Sequence, residues 1–387
     1  MPSPVERIVR SKLKPAVELA LISRSAGRCE FRGCNKYLYA HPLTGDLGNF
    51  AENAHLVAFR EKGPRGTEGK RPDDIDSIEN LMLLCAPCHH LIDTKPKKYP
   101  RAELEAHKRE HEARINRVTS LGPAMQTTVL QLKARIGTSI VEVSQSETAQ
   151  ALLPRYPASD PKIIDLTDLG EEGDEQFYGF AASRIRQEVR QLYTTGGELE
   201  ASKHLSVLAL APIPLLMVLG NALSNKVQTD FYQCHRDRPD RWTWHEGKPA
   251  TAYALHCKRR GSAPDQVALT ISLSGTIGDA ALAPHVDGKF SVYEITLDGA
   301  QPHPGFLRQR EDLEAFRAVY RRFLAEVTRD HADAKVLHVF PAIPAPVAVV
   351  CGFDLLPKAH PALLVYDNDK RNGGFVQRLE VNGNDRK

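Results

Sequence analysis

Residues 29–34 read CEFRGC, residues 51–59 AENAHLVAF and residues 77–93 SIENLMLLCAPCHHLID, and this stretch decides how the rest of the chain is understood. It holds two cysteine pairs, Cys29/Cys34 spaced as Cys-x4-Cys and Cys85/Cys88 spaced as Cys-x2-Cys. Each spacing puts two thiolates on one tight turn, and two such turns supply the four soft ligands of a tetrahedral zinc ion. The fifty residues between the pairs include His55 and Asn80, and His89 follows the last cysteine directly. A module of about ninety residues with a thin core needs such a staple. A zinc knuckle accounts for the cysteines but not for the order His, Asn, His. Taken singly, those three have plain readings: an exposed loop histidine, a turn asparagine and a helix-start histidine.

Outward from this stretch, residues 5–24 place Val5, Ile8, Val9, Leu13, Val17, Ala20 and Leu21 at helical spacing, with Pro15 expected to kink or split the helix. Residues 37–39 and 49–59 are expected as short strands around the turn HPLTGDLGN. The loop REKGPRGTEGKR (60–71) follows, then the apolar run of residues 80–84, then a helix starting near Pro87. Residues 101–118 form a charged helix whose mixture of Lys and Arg with Glu103, Glu105, Glu110 and Glu112 reads as solvated.

With 387 residues the chain suits two or three domains. Hydrophobic residues at 42% and charged residues at 26% mark a soluble globular protein. No run of eighteen apolar residues occurs and the first residues lack the apolar segment of a signal peptide, so a cytoplasmic location without a membrane is expected. Three further cysteines, Cys234, Cys257 and Cys351, stand alone, as buried thiols do in a reducing compartment. The net charge of +3 divides into +5 for residues 1–120 and −2 for the remainder. That bias permits a polyanionic partner for the first part without requiring one.

The segment 25–95, and NLMLLCAPCHHLID above all, resembles the HNH endonucleases of the ββα-metal fold, in the subgroup tied by four cysteines. The resemblance implies that His55 is the general base, that Asn80 orients it by hydrogen bonding, and that His89 binds a catalytic Mg²⁺ or similar divalent ion. Imidazole chemistry suits the first role, since a neutral ring can take a proton from water at cellular pH. Family members often carry an acidic metal ligand just before the base, where this chain has Ala54. Asp93, four residues after His89 on the same helical face, is the expected substitute, with Glu52 the alternative on the other side of its strand from His55. His90 points about 100° away from His89 on a helix. Arg60, Lys62, Arg65, Lys70 and Arg71 in the loop, and Lys95, Lys97 and Lys98 beyond the helix, are candidates for DNA phosphates. No base-reading pattern is visible, which favours low sequence specificity on double-stranded DNA.

Beyond a connection expected at 121–160, strands and helices alternate: HLSVLALA (204–211), PLLMVLGNAL (214–223), TDFYQCH, ATAYALHCKR, QVALTISLSG, FSVYEITL, a long amphipathic helix at 308–330, AKVLHVF (334–340), PAPVAVVCGFDLL and PALLVYD (361–367). This order predicts an α/β domain with a mainly parallel sheet. HLSVLALAPIPLLMVLG and KVLHVFPAIPAPVAVVCG share one form, strand, proline turn, apolar helix, an internal echo of two similar halves. No phosphate loop or nucleophile triad is present. Ligands of open α/β sheets bind beyond the carboxyl ends of strands, so Tyr156, Pro214, Arg236, Trp242, Trp244, Ser274, Arg308 and Phe340 are candidate pocket residues, packing being the alternative for the tryptophans.

HLSVLALAPIPLLMVLGNALSNKVQTDFYQCHRD with RWTW, HVFPAIPAPVAVVCGFDLLPK and PALLVYD resembles the SAVED domain. That resemblance implies two fused CARF-type, Rossmann-like halves that bind cyclic oligonucleotide messengers. The expected organisation is an HNH domain with structural zinc at 1–120, a connecting helix and linker at 121–160, and a SAVED sensor at 161–387. The combination is similar to effector nucleases of bacterial CBASS anti-phage systems. It implies DNA cleavage switched on by a cyclic dinucleotide such as a cGAMP isomer, through ligand-driven oligomerisation. Two other readings stay open on the residues alone: a restriction-type HNH nuclease whose second domain reads modified DNA, and a zinc-bound DNA-binding regulator without catalysis.

Overall fold

The computed structural model describes residues 12–136, 140–170, 176–194, 196–197, 199–245, 247 and 249–383. It divides into two compact units, Met1–Gly122 and Pro123–Lys387.

In the first unit α1 (Pro15–Ser25) begins at the proline that was expected to break it. The ring's missing N–H costs nothing in the first turn, where no intrahelical acceptor is available. Val5, Ile8 and Val9 lie outside the described residues. The helix stops at Ala26, whose left-handed backbone (φ 51°) lets the chain turn into the first cysteine pair. The strand expected at 37–39 is reduced to isolated bridges, Arg28 to Tyr37 and Ala40 to Leu47. β1 (Ala51–His55) then pairs antiparallel with β2 (Leu81–Cys85), Ala51 opposite Cys85 and His55 opposite Leu81. β2 is buried along its whole length and runs directly into α2 (Ala86–Thr94). α3 (Arg101–Thr119) is not solvated all round: it buries Leu104, His107, Lys108 and His111. Polar residues can form that face because each finds a partner, as when Lys108 binds Glu112 and His111 meets the Ser25 carbonyl. The apolar core is small, Leu21, Leu38, Leu56, the four residues before Cys85, Ile92 and Leu104 forming most of it.

The second unit contains β3 (Gln126–Lys133), α4 (Gln145–Leu152), β4 (Tyr156–Pro157), β5 (Lys162–Asp165), α5 (Phe177–Leu192), α6 (Leu199–Ser202), β6 (His204–Leu210), α7 (Ile213–Leu223) and β7 (Gln228–Tyr232). Among the described residues these strands form a parallel sheet in the order β4-β3-β6-β7, with β5 also on β3. The connection expected at 121–160 is therefore corrected: β3, α4 and β4 of this unit fall within it, and β3 is bonded to three other strands. The chain continues through β8 (Tyr253–Arg259), β9 (Val267–Ser272), α8 (Asp279–Leu282), β10 (Ser291–Leu297), α9 (Arg310–Asp330), β11 (Val336–Ala342), α10 (Ala345–Phe353), β12 (Ala362–Asp369) and β13 (Gly374–Val381). These make a second sheet, β13-β12-β11-β9-β10-β8, parallel in its four inner strands and antiparallel at both edges.

The echo between the two proline-turn segments is structural. β6 leads into α7 and β11 into α10, with a proline in the first turn of each helix. Both helices carry glycine at their eighth position, Gly220 and Gly352, and there they meet. A Cβ on Gly220 would lie 1.8 Å from the Val349 carbonyl oxygen, and one on Gly352 would lie 1.9 Å from that of Met217. Only glycine allows backbones so close. One hydrophobic cluster runs from Leu130 and Val207 in the first sheet to Leu269 and Val339 in the second.

Candidate active site

Four sulfurs converge in the first unit. The Sγ atoms of Cys29, Cys34, Cys85 and Cys88 lie within 4.8 Å of one another, Cys34 and Cys85 at 3.9 Å. A tetrahedral ion held about 2.3 Å from each thiolate keeps its sulfurs about 3.8 Å apart, so the cluster fits a metal ion. Burial pushes the Cys29 thiol up to about 12 and the Cys88 thiol well up too, so ionised sulfurs at these two positions need a cation. The knuckle is sewn to β2 by the buried Glu30, whose N–H donates to the Leu83 carbonyl (2.9 Å) and whose carboxylate accepts from the Leu83 N–H (2.5 Å).

The strand–strand–helix holds the other candidates. His55 ends β1 with its side chain 7% exposed, and its Nε2 lies 2.8 Å from Asp76 Oδ1. Phe59 flanks the ring. Asn80, buried in the turn before β2, works on main chain. Its Oδ1 accepts from the Val57 N–H (2.9 Å), and its Nδ2 donates to the carbonyls of Val57 (3.1 Å) and Ile75 (2.8 Å). Both amide protons are thereby used, so the side chain steadies the segments bearing His55 and Asp76 rather than donating to the ring. Asp76 carries no signal in the sequence: it sits in an irregular stretch, and no spacing rule ties it to a histidine twenty-one residues earlier.

His89 lies in α2, its Nε2 3.3 Å from Asp93 Oδ2 and its Nδ1 3.8 Å from Glu52 Oε2. Two ligands on neighbouring vertices of an octahedral ion with bonds of about 2.1 Å sit about 3 Å apart, so the spacing of His89 Nε2 and Asp93 is that of two ligands of one divalent cation, while Glu52 faces the other ring nitrogen. Asp93 also meets Arg65. Burial alone would raise this carboxyl, but His89 and Arg65 together outweigh it and hold it below the usual carboxylate range.

Arg65 corrects an expectation. It was read as a phosphate contact, yet its side chain is 1% exposed. Its Nε donates to the Leu56 carbonyl (2.8 Å), Nη1 to that of Ile92 (2.7 Å) and Nη2 to Asp93 (3.0 Å). Arg71 likewise holds the Ala58 and Phe59 carbonyls. Arg60 and Lys62 stay exposed.

In the second unit the candidate pocket residues separate. Pro214 is buried in α7, Trp242 and Trp244 are 1% and 8% exposed, and Phe340 is fully buried and stacked on Tyr366. These four are packing residues, because a nucleobase needs an open ring face to stack on. Tyr156 lies in the short β4, and Ser274 follows β9, its N–H donating to the Ala342 carbonyl. Arg236 is exposed and Arg308 half-buried. The Arg308 carbonyl accepts from the His245 N–H, and the His245 ring packs 4.7 Å from that of His235. Burial holds His235 down to about 4.

A model described as the SMODS-associated and fused to various effectors sensor domain, SAVED, matches residues 185–381, more than half of the chain. The chain belongs to the SAVED family. A second model, HNH endonuclease, matches residues 29–95 and so spans the cysteines, His55, Asn80, His89 and Asp93. The SAVED match starts inside α5, leaving β3, α4, β4 and β5 ahead of it in the same compact unit. Among solved structures, the chain is similar to the Cap4 SAVED/CARF-domain containing receptor of Acinetobacter baumannii with the cyclic trinucleotide 2'3'3'-cAAA, at 13% identity and a TM-score of 0.44, covering 79% of this chain and 64% of that one. It is also similar to the Moraxella osloensis Cap4 receptor, at 11% identity and a TM-score of 0.41, covering 75% of this chain and 60% of that one. The chain thus spans less than two thirds of the length of either receptor. No curated protein matches it. Among the described residues, no helix of this SAVED protein is long and apolar enough to cross a membrane.

Proposed function

We propose that the chain is a metal-dependent DNA endonuclease of low sequence specificity, activated by a cyclic dinucleotide of the cGAMP type that drives self-association, and that it degrades DNA in CBASS anti-phage defence. The observation that carries the nuclease reading is the strand–strand–helix placing His55 at the end of β1 and His89 in α2, inside the segment matched to HNH endonucleases. In this reading the cysteines hold a structural Zn²⁺, and His89 and Asp93 hold an exchangeable Mg²⁺ or similar ion. When bound, that second ion supplies positive charge for the phosphate as negative charge grows on it.

His55 is the base. Water adds to phosphorus while its proton passes to the imidazole, the bond to the leaving sugar oxygen breaks, and that oxygen takes a proton from solvent. In this reading the exposed Arg60 and Lys62 contact backbone phosphates, which carry no sequence information. The SAVED unit supplies the control. A nuclease with little sequence preference endangers its own host unless held silent, and a ligand shifts that equilibrium only through a state it binds better. An assembly whose interface forms only with ligand bound provides that difference.

The test incubates purified full-length protein with plasmid, Mg²⁺ and a panel of cyclic di- and trinucleotides. Cleavage only with Mg²⁺ and one of the cyclic nucleotides is expected, together with a larger sedimenting species. His55→Ala is expected to keep its fold and zinc content and to lose at least about a hundredfold in cleavage rate. Normal cleavage by that variant ends the assignment of the base. Cleavage by the unliganded protein ends the proposed control.

A further inference from the structure

A carboxylate on an imidazole fixes more than the ring's position. Ionised Asp76 can only accept a hydrogen bond, so at 2.8 Å the proton between it and His55 belongs to Nε2. A neutral imidazole has one N–H and one lone pair. With Nε2 protonated the lone pair lies on Nδ1, whereas the opposite tautomer would set a lone pair against a carboxylate. With the His55 side chain 7% exposed and Asp76 23%, little water competes for the contact.

The two residues come from separate segments, and Asn80 fastens both. It grips Val57 through its Oδ1 and Nδ2, two residues beyond His55, and Ile75 through Nδ2, one residue before Asp76. Its main-chain carbonyl also accepts from the Leu56 N–H, and its N–H donates to the Ser77 carbonyl. The Asp76 N–H donates to Asp74 Oδ1, closing the turn that aims the carboxylate. Every bond of Asn80 named here ends on main chain beside the pair.

We infer that Asp76 is the positioning residue of His55, holding the imidazole with its proton on Nε2 so that Nδ1 is the atom that takes the proton of water, and that Asn80 is the clasp that brings Asp76 to the ring. As Nδ1 gains its proton the ring becomes a cation, and the adjacent carboxylate stabilises it. The catalytic half of this inference rests on the nuclease reading above; the tautomer half does not.

The test uses full-length protein with ¹⁵N-labelled histidine, the His55 signals being assigned as those missing from His55→Ala. Wild-type His55 is expected as the Nε2-protonated tautomer. Asp76→Asn keeps the shape but can offer an amide N–H to Nε2, and is expected to show the opposite tautomer or a mixture. Its kcat for plasmid nicking, measured with Mg²⁺ and the cyclic nucleotide panel, is expected to fall about ten- to a hundredfold. KM for DNA and the Mg²⁺ giving half-maximal rate should stay within about twofold, since the ring and not the binding surface is altered. If Asp76→Asn misfolds, Asp76→Ala is read the same way. An unchanged tautomer overturns the inference. So does a raised Mg²⁺ requirement with full rate restored at saturation, which makes Asp76 an ion ligand. Wild-type protein that cleaves under no condition defeats the nuclease reading, while the spectrum still decides the tautomer.

Discussion

A guanidinium inside a small core must spend its N–H groups on protein acceptors, and Arg65 does so on two carbonyls and a carboxylate. It ties the end of β1 to α2 and to Asp93. Arg65→Ala would leave the Leu56 and Ile92 carbonyls without that partner, each charge-assisted bond contributing about 1.5–3 kcal/mol. The first unit is expected to lose about 3 kcal/mol, read as a lower urea midpoint in far-UV circular dichroism. Arg65→Lys should recover little, because one compact ammonium cannot reach three acceptors in a fixed fork. Nothing in REKGPRGTEGKR announced this. A loop dense in Lys and Arg reads as solvated, and the inward turn depends on a left-handed backbone at Arg65 (φ 56°) that spacing does not encode. Asp76 was hidden for a related reason: its partner is set by where the loop folds back. The convergence of the cysteines was legible because they stand in pairs at the short fixed spacings that metal ligands favour. His55, Asn80 and His89 were legible through a family pattern, and the structure gives each a local setting: Asp76 on the His55 ring, main chain for Asn80, carboxylates beside His89.

Among elements, α7 and α10 were readable as an echo, and their close approach explains why both carry glycine at the eighth position of an apolar sequence. Gly220→Ala or Gly352→Ala would drive a Cβ into a backbone carbonyl, with no flexible side chain to yield. Such overpacking costs about 1–3 kcal/mol or more. The second unit is expected to melt several degrees lower while the first unit's transition stays in place, checked by calorimetry. β3 was missed for a physical reason. Thr127 and Gln131 look like surface positions, yet they are buried and satisfied, Thr127 Oγ1 against His204 Nδ1 (2.8 Å) and Ser206 Oγ (2.9 Å), and Gln131 against Thr148 (3.1 Å). Hydropathy counts such residues as exposed, although a fully bonded polar residue can be buried at little cost. The same burial predicts a pH response. His204 and His235 are held down to about 4, mainly by burial, against about 6.5 unfolded. Because the folded forms resist protonation, stability is full above pH 6.5 and falls as pH drops from 6.5 toward 4, by a few kcal/mol in all. Both tryptophans lie buried in this unit, so their fluorescence follows it alone. The denaturant midpoint should fall between pH 7.5 and 4.5, and His204→Gln with His235→Gln should flatten that slope.

For the molecule as a whole, the two compact units differ in what holds them together. The second has a long hydrophobic cluster fed by both sheets, whereas the first has a short list of buried apolar residues around four cysteines. A small core rarely supplies more than a few kcal/mol, while metal binding in zinc-stabilised peptides contributes about 10–16 kcal/mol. The first unit should therefore depend on its ion, and the second should not. Prolonged treatment with a strong zinc chelator is expected to collapse the far-UV signal of β1, β2 and α2 and to abolish any DNA cleavage, even with Mg²⁺ in excess. The tryptophan-detected transition should move by less than about 2 °C, because no ligand that binds that unit is removed. Withdrawing Mg²⁺ alone should stop cleavage and leave the tryptophan transition where it was, the first unit losing only the small mass-action stabilisation of the exchangeable ion proposed for His89 and Asp93. A tryptophan transition that falls together with the first unit would mean that the cysteine cluster stabilises more than its own module. The SAVED unit would then share the metal dependence expected of the first unit.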